Sequence, residues 1–157
     1  LVVGLLFGLL LGVLVVVLRY LASTCVRSVR DLQDLEPFDY VAELTAENAQ
    51  AGPLLAAYLK TVCAKRGLTQ VVLLASQALQ PAAQSAVQSA EQLLRQSGLE
   101  TVSCTMDTAD PAALQQILTA QSVVPVVELD RTDCCTLHQE MELCRRENIP
   151  VLAGIVL

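Results

Sequence analysis

The stretch QVVLLASQALQPAAQSAVQSAEQLLRQSG (residues 70–98) decides the fold class. Gln70 to Ala75 is a short apolar run with β-branched residues, which reads as a buried strand. Pro81 suits a first helical position, and Ala83, Ala86, Val87, Ala90, Leu93 and Leu94 then recur at helical spacing up to Ser97. Gly98 closes the helix. A strand, a short loop and an amphipathic helix form the first half of a βαβ unit. In a parallel sheet, the loop at the carboxyl end of such a strand is where ligands are held.

That loop can be tested for nucleotide chemistry. A phosphate-binding loop needs glycines for close backbone approach and a Lys for the phosphates. Ser76 to Ser85 has neither; no Gly lies between Gly67 and Gly98, and no Lys follows Lys65. Tight nucleotide binding through this loop is not expected, and no cofactor is implied.

The same alternation extends outward in both directions. Downstream, Leu99 to Cys104 reads as a second strand, and Asp110-Pro111 opens a helix to about Ala120. Val123 to Leu129 is a third strand, which Pro125 assigns to a sheet edge or a late start. Asp133 to Glu147 is a helix, and Pro150 to Val156 is a fourth strand. Upstream, Pro53, Leu54, Leu55, Tyr58, Leu59, Val62 and Cys63 mark a helix that Gly67 stops. Val41 to Ala51 reads mostly as linker. The expected fold class is α/β: an N-terminal transmembrane helix, then a small, mostly parallel sheet of about four strands with helices on both faces. The expected units are a membrane helix over 1–18, a juxtamembrane helix and linker over 19–51, and a cytosolic α/β domain over 52–157.

The membrane assignment rests on Leu1 to Leu18, LVVGLLFGLLLGVLVVVL, which holds no polar side chain. At about 1.5 Å per residue it reaches about 27 Å, close to the hydrocarbon core of a bilayer. A basic n-region and a small-residue cleavage site, the marks of a signal peptide, are not visible. The alternative is a buried core helix. Because residue 1 already lies inside the apolar run, the chain reads as the C-terminal part of a longer protein. Arg19, Arg27 and Arg30 flank the span and place its C-terminal side in the cytoplasm. Gly4, Gly8 and Gly12 repeat every four residues and make a smooth stripe where a second membrane helix can approach. That stripe predicts a homo-oligomer, although Gly is also common in membrane helices generally.

Other chemistry is thin. The chain has 157 residues, a net charge of −6, no Trp and few aromatics, so a nucleic-acid partner is not suggested. Asp107, near the end of the second strand, is one carboxylate where a magnesium site needs several oxygens; it reads as a solvated loop residue. Cys134, Cys135, His138 and Cys144 crowd one helix, with Cys134 and His138 four apart on one face. No C-x-x-C pair is present, so ordinary thiols and a surface His are expected rather than zinc. No catalytic triad can be argued from a single His.

Two segments carry a resemblance. LRYLASTCVRSVRDLQDL (Leu18 to Leu35) resembles the stretch that follows the last span of Wzz-type polysaccharide chain-length determinants. Arg19-Tyr20-Leu21, Val26-Arg27 and Asp31-Leu32 fit it, and Ala22 replaces the usual Asp. Val71 to Ser76, VVELDRT (Val126 to Thr132) and VLAGIVL (Val151 to Leu157) are similar to the P-loop domain of bacterial tyrosine kinases of capsule and exopolysaccharide assembly. Thr132 and Gly154 are the matching points. The departures are the missing Walker A residues, Cys104 where an Asp is expected, a shortened middle and no terminal tyrosine cluster. The resemblance therefore implies a degenerate P-loop domain without kinase activity. The resemblance further implies an inner-membrane protein of bacterial surface-polysaccharide synthesis, a chain-length determinant or co-polymerase, with a polymerase or a separate kinase as partner. The alternatives are an atypical ATP-binding kinase or ATPase of that pathway, and a membrane-anchored interaction module unrelated to it.

Overall fold

A computed structural model describes residues 2–106 and 110–157, with side chains from Gly4 onward. Asp107 lies outside the described residues. Five strands form one all-parallel sheet: β1 (Val41–Glu43), β2 (Gln70–Ala75), β3 (Glu100–Thr105), β4 (Val123–Val127) and β5 (Gly154–Val156). Their spatial order is β1-β5-β4-β2-β3. The helices are α1 (Val2–Leu21), α2 (Val29–Leu35), α3 (Ala51–Arg66), α4 (Pro81–Gln96), α5 (Pro111–Leu118) and α6 (Cys134–Arg146).

Strand periodicity sorts the core onto two faces. Val71, Leu73, Val124, Val126 and Ile155 pack against Leu55 and Leu59 of α3 and Val87 and Leu94 of α4. On the other face Val72, Leu74 and Val123 meet Ile117 of α5 and Cys144 of α6, while Val127 and Val156 meet Leu137 and Met141 of α6. The chain crosses the sheet from β1 through β2 to β3 with its helices on the first face. It returns through β4 to β5 with its helices on the second. A single crossover hand gives this division. The α/β class with helices on both faces is thus present, with one strand more than the sequence predicts.

That extra strand changes the upstream reading. Val41 to Glu43 is not linker; it pairs with β5 from Val41–Gly154 to Glu43–Val156. The juxtamembrane helix expected after residue 18 is interrupted. α1 stops at Leu21, and α2 restarts at Val29 with the Ser28 hydroxyl accepting from the Asp31 N–H at 3.1 Å. Between them the backbone runs beside the loop after β4. Val26 N–H donates to Thr132 O, Asp130 N–H to Val26 O, and Cys134 N–H to Thr24 O, at 2.7–2.8 Å. Val26 and Leu32 are fully buried in the second-face core. Hydrogen bonds to the loop and burial of two aliphatic side chains outweigh the helical propensity of the segment.

Pro125 lies in an interior strand, not at an edge. β4 pairs with β2 on one side and β5 on the other. Val123 bridges Val151, but Val126 pairs with Ile155, so the register slips by one residue between them. Val123 N–H points to the β5 side, donating to Pro150 O, and Pro125 faces the same way. A bulge in the β5 segment therefore lies opposite the proline, where no donor is needed.

α1 stands apart from this core. Its window Gly4–Leu21 has a mean hydropathy of 2.4 and none of it is buried. By length and composition it can cross a membrane.

Candidate functional site

The chain reverses its direction across the sheet between the neighbours β2 and β4, and the loops that leave their carboxyl ends diverge to opposite faces. Such a divergence leaves a crevice in doubly wound sheets. Two buried carboxyl groups occupy it here. Glu128 follows β4 directly, and its Oε2 lies 3.5 Å from the backbone N–H of Gln80, the residue that caps α4. Arg131 Nη1 donates to the same oxygen at 3.1 Å. The turn is held by Thr132, whose hydroxyl accepts the Glu128 N–H at 2.9 Å, and by Asp130 at φ 61°. A carboxylate of the chain itself thus faces the positive end of the α4 dipole.

Glu140 enters from α6. It is 3% exposed, and its Oε2 accepts from the Ser76 hydroxyl at 2.6 Å. Its Oε1 has no hydrogen-bond partner among the described residues. Burial pushes this carboxyl up to about 7, against the opposing effect of the Ser76 hydrogen bond. Cys144, one turn further along α6, is pushed up to about 11 by burial first and the Glu140 charge second. Burial likewise raises the thiols of Cys63, Cys104 and Cys134.

Two clefts open beside these groups. One, of about 450 Å³, is lined by Ala78 and Met106 together with Ser76, Gln77, Thr105, Thr136, Gln139 and Glu140. The other, of about 710 Å³, runs between α3 and α4 and is walled mostly by small apolar side chains, with Glu128 at one end.

The residues singled out in the sequence are placed as follows. Gly4, Gly8 and Gly12 lie on the exposed α1, and a Cβ at each would meet no atom within 4 Å. Arg19 is in the last turn of α1 and exposed, as is Arg30 of α2. Arg27 is half-buried, stacks over the Tyr20 ring at 3.6 Å and donates to the Tyr20 carbonyl. Cys144 is buried against the sheet, whereas Cys135 is exposed. His138 turns to Glu36, at 3.1 Å from its Nδ1, and Arg145 Nη2 donates to the other Glu36 oxygen at 3.0 Å. Among the described residues no three His, Cys, Asp or Glu are arranged to hold a metal ion. Gly154 admits Phe38, whose ring carbon would lie 3.3 Å from an added Cβ. Sequence reasoning did not single out Glu128 or Glu140. The available signal was position: Glu140 shares the inward helical face of Leu137, Met141 and Cys144, and Glu128 ends an apolar strand.

No protein family, no curated protein and no solved structure matches the chain.

Proposed function

We propose that this chain is a membrane-anchored, non-catalytic scaffold of bacterial cell-surface polysaccharide synthesis, acting as a chain-length determinant or co-polymerase. The observation that carries the non-catalytic half is the Glu128 carboxylate at the α4 N-terminus. A phosphate held by a helix N-terminus needs free N–H groups and positive potential. Here a buried carboxylate faces the Gln80 N–H instead, and the loop brings neither Gly nor Lys. The degenerate P-loop reading rests on the position of that loop after β2 in a parallel sheet.

The anchoring half rests on α1, apolar and exposed along its length. In this reading it crosses the bacterial inner membrane, with Arg19, Arg27 and Arg30 on the cytoplasmic side. Copies associate through Gly4, Gly8 and Gly12. The sheet domain docks a polysaccharide polymerase or a separate kinase. The polysaccharide assignment rests on the resemblance of Leu18–Leu35 and of the closing strands.

Calorimetry of the full chain in detergent micelles with ATP·Mg²⁺ tests the first half. No saturable heat at millimolar nucleotide is expected. Saturable binding would overturn the scaffold reading in favour of an atypical kinase or ATPase. Deleting the chain in its host tests the second half. A changed length distribution of the surface polysaccharide on a gel is expected; an unchanged one would leave a membrane-anchored module of another pathway.

A further inference from the structure

β3 lies at the edge of the sheet and pairs with β2 alone. Glu100 N–H donates to Thr69 O at 2.9 Å and Met106 N–H to Ala75 O at 2.7 Å, so the even-numbered residues turn their backbone groups towards β2. Thr101, Ser103 and Thr105 turn theirs outward. The start of this edge is closed, because Thr101 is 1% exposed and its carbonyl accepts from Arg95 Nη2 at 3.1 Å. Further along, Ser103 and Thr105 are exposed. Among the described residues no backbone group bonds to their outward N–H and C=O groups. Residues 102–106 hold no charge and no Pro, and the register with β2 runs through Thr105 without a bulge. Those are the devices that keep edge strands from pairing with other chains.

We infer that this edge pairs with the same edge of a second copy, antiparallel and centred on Cys104. In that register Ser103 faces the partner's Thr105 and Thr105 faces the partner's Ser103, each pair exchanging both backbone bonds. A shift of two residues one way brings in the closed Thr101, and the opposite shift carries Ser103 past the end of the partner's strand. The side chains match in the same register. On the second face Val102 lies opposite the partner's Met106 and Cys104 opposite the partner's Cys104, apolar against apolar. On the first face the Ser103 and Thr105 hydroxyls lie side by side. The anchor selects a second copy over an unrelated strand. Copies held by α1 in one bilayer are related by rotation about the membrane normal, and the two-fold of this pairing runs along the sheet normal. The two axes coincide when the sheet lies flat with its second face to the lipid. Val26 and Leu32, on the segment leading from α1, pack on that face. Confinement of the copies to one layer compensates for the short ladder. The choice of partner thus rests on the anchoring reading but not on the polysaccharide assignment.

The test is energy transfer between donor- and acceptor-labelled copies of the full chain in lipid vesicles, in a Gly8→Leu background that removes association through α1. Flotation of the chain with the vesicles is checked first; a chain that does not float overturns the anchoring reading and this inference with it. For the floated Gly8→Leu chain, energy transfer above the random-proximity level is expected. Adding Ser103→Pro removes an outward N–H that no backbone group within the chain accepts. It should weaken association by at least about tenfold while leaving the circular-dichroism melt unchanged. Should that variant not fold, Thr105→Lys, at an exposed edge position, should weaken association likewise. The register is read with Val102→Cys combined with Met106→Cys. These positions are about 13 Å apart along one strand, beyond the reach of a disulfide, yet directly opposite each other across the two-fold. Oxidation with diamide should give a covalent dimer linked from position 102 to position 106, as mapped by mass spectrometry. The inference is overturned if the floated Gly8→Leu chain shows random proximity only, or if no 102–106 link forms. It is also overturned if the folded Ser103→Pro chain, or failing that Thr105→Lys, associates unchanged.

Discussion

Glu140 occupies a core position of α6 between Leu137 and Cys144, and that position sets its titration. Its carboxyl is raised from 4.5 to about 7 by burial. The folded chain therefore holds a proton that the unfolded chain has released between about pH 4.5 and 7. Stability falls as pH rises through that window and the loss is complete above it, amounting to at most about 3 kcal/mol. Glu140→Gln removes the ionisation. Urea unfolding should show it stabilised relative to the parent at pH 8 and nearly equal to it at pH 4, below the unfolded value; an equal difference at both pH values would refute the assignment. Glu140 was legible in the helical spacing of its neighbours. Glu36 was not, since a residue before a proline at a helix end gives no sign of burial. Its partners His138 and Arg145 lie 102 and 109 residues away.

The elements divide by whether local pattern or distant pairing decides them. β2, α4 and α6 are written in periods and caps: an unbroken apolar run, Pro81 at the first turn, and Asp133 accepting from the Thr136 N–H. Asp133 is also held below the usual carboxylate range, chiefly by the Thr24 hydroxyl and next by the Thr136 N–H. β1 has only three residues, too few to show an alternation, and exists because β5 offers it a ladder. The break after Leu21 and the interior place of Pro125 have the same origin, since both depend on segments remote in sequence. α1 allows a separate test. Gly8 faces open space within the chain, so Gly8→Leu costs nothing in intrachain packing and reads only association with other helices. The substitution should weaken self-association in a membrane reporter assay by about tenfold or more. Unchanged association would remove the glycine stripe as an interface.

At the scale of the whole molecule, the folding unit begins well before the helix at Ala51. Val26, Leu32 and Ala42 are buried, and Phe38 packs beside them against the second-face core. Burying a side chain such as Leu32 contributes about 1.5–3 kcal/mol. Losing several of them together approaches the whole stability of a small domain, about 5–15 kcal/mol. A chain lacking residues 1–21 should melt cooperatively with β-sheet and helix signals in circular dichroism. One lacking residues 1–51 should not; a cooperative transition in that shorter chain would show that the upstream segment is dispensable.

The pairing of Thr24 to Val26 with the loop after β4 has a consequence for where the domain can travel. Only Ala22 and Ser23 separate the end of α1 from the first paired residue, at most about 11 Å of chain from Leu21 to Thr24. With α1 inserted in a bilayer, the sheet domain is a rider on a short leash, kept within a thin layer above the lipid headgroups. Neighbouring copies then meet by lateral diffusion on a surface rather than by chance in a volume. Local crowding of that kind makes contacts persist that two free domains would form only fleetingly.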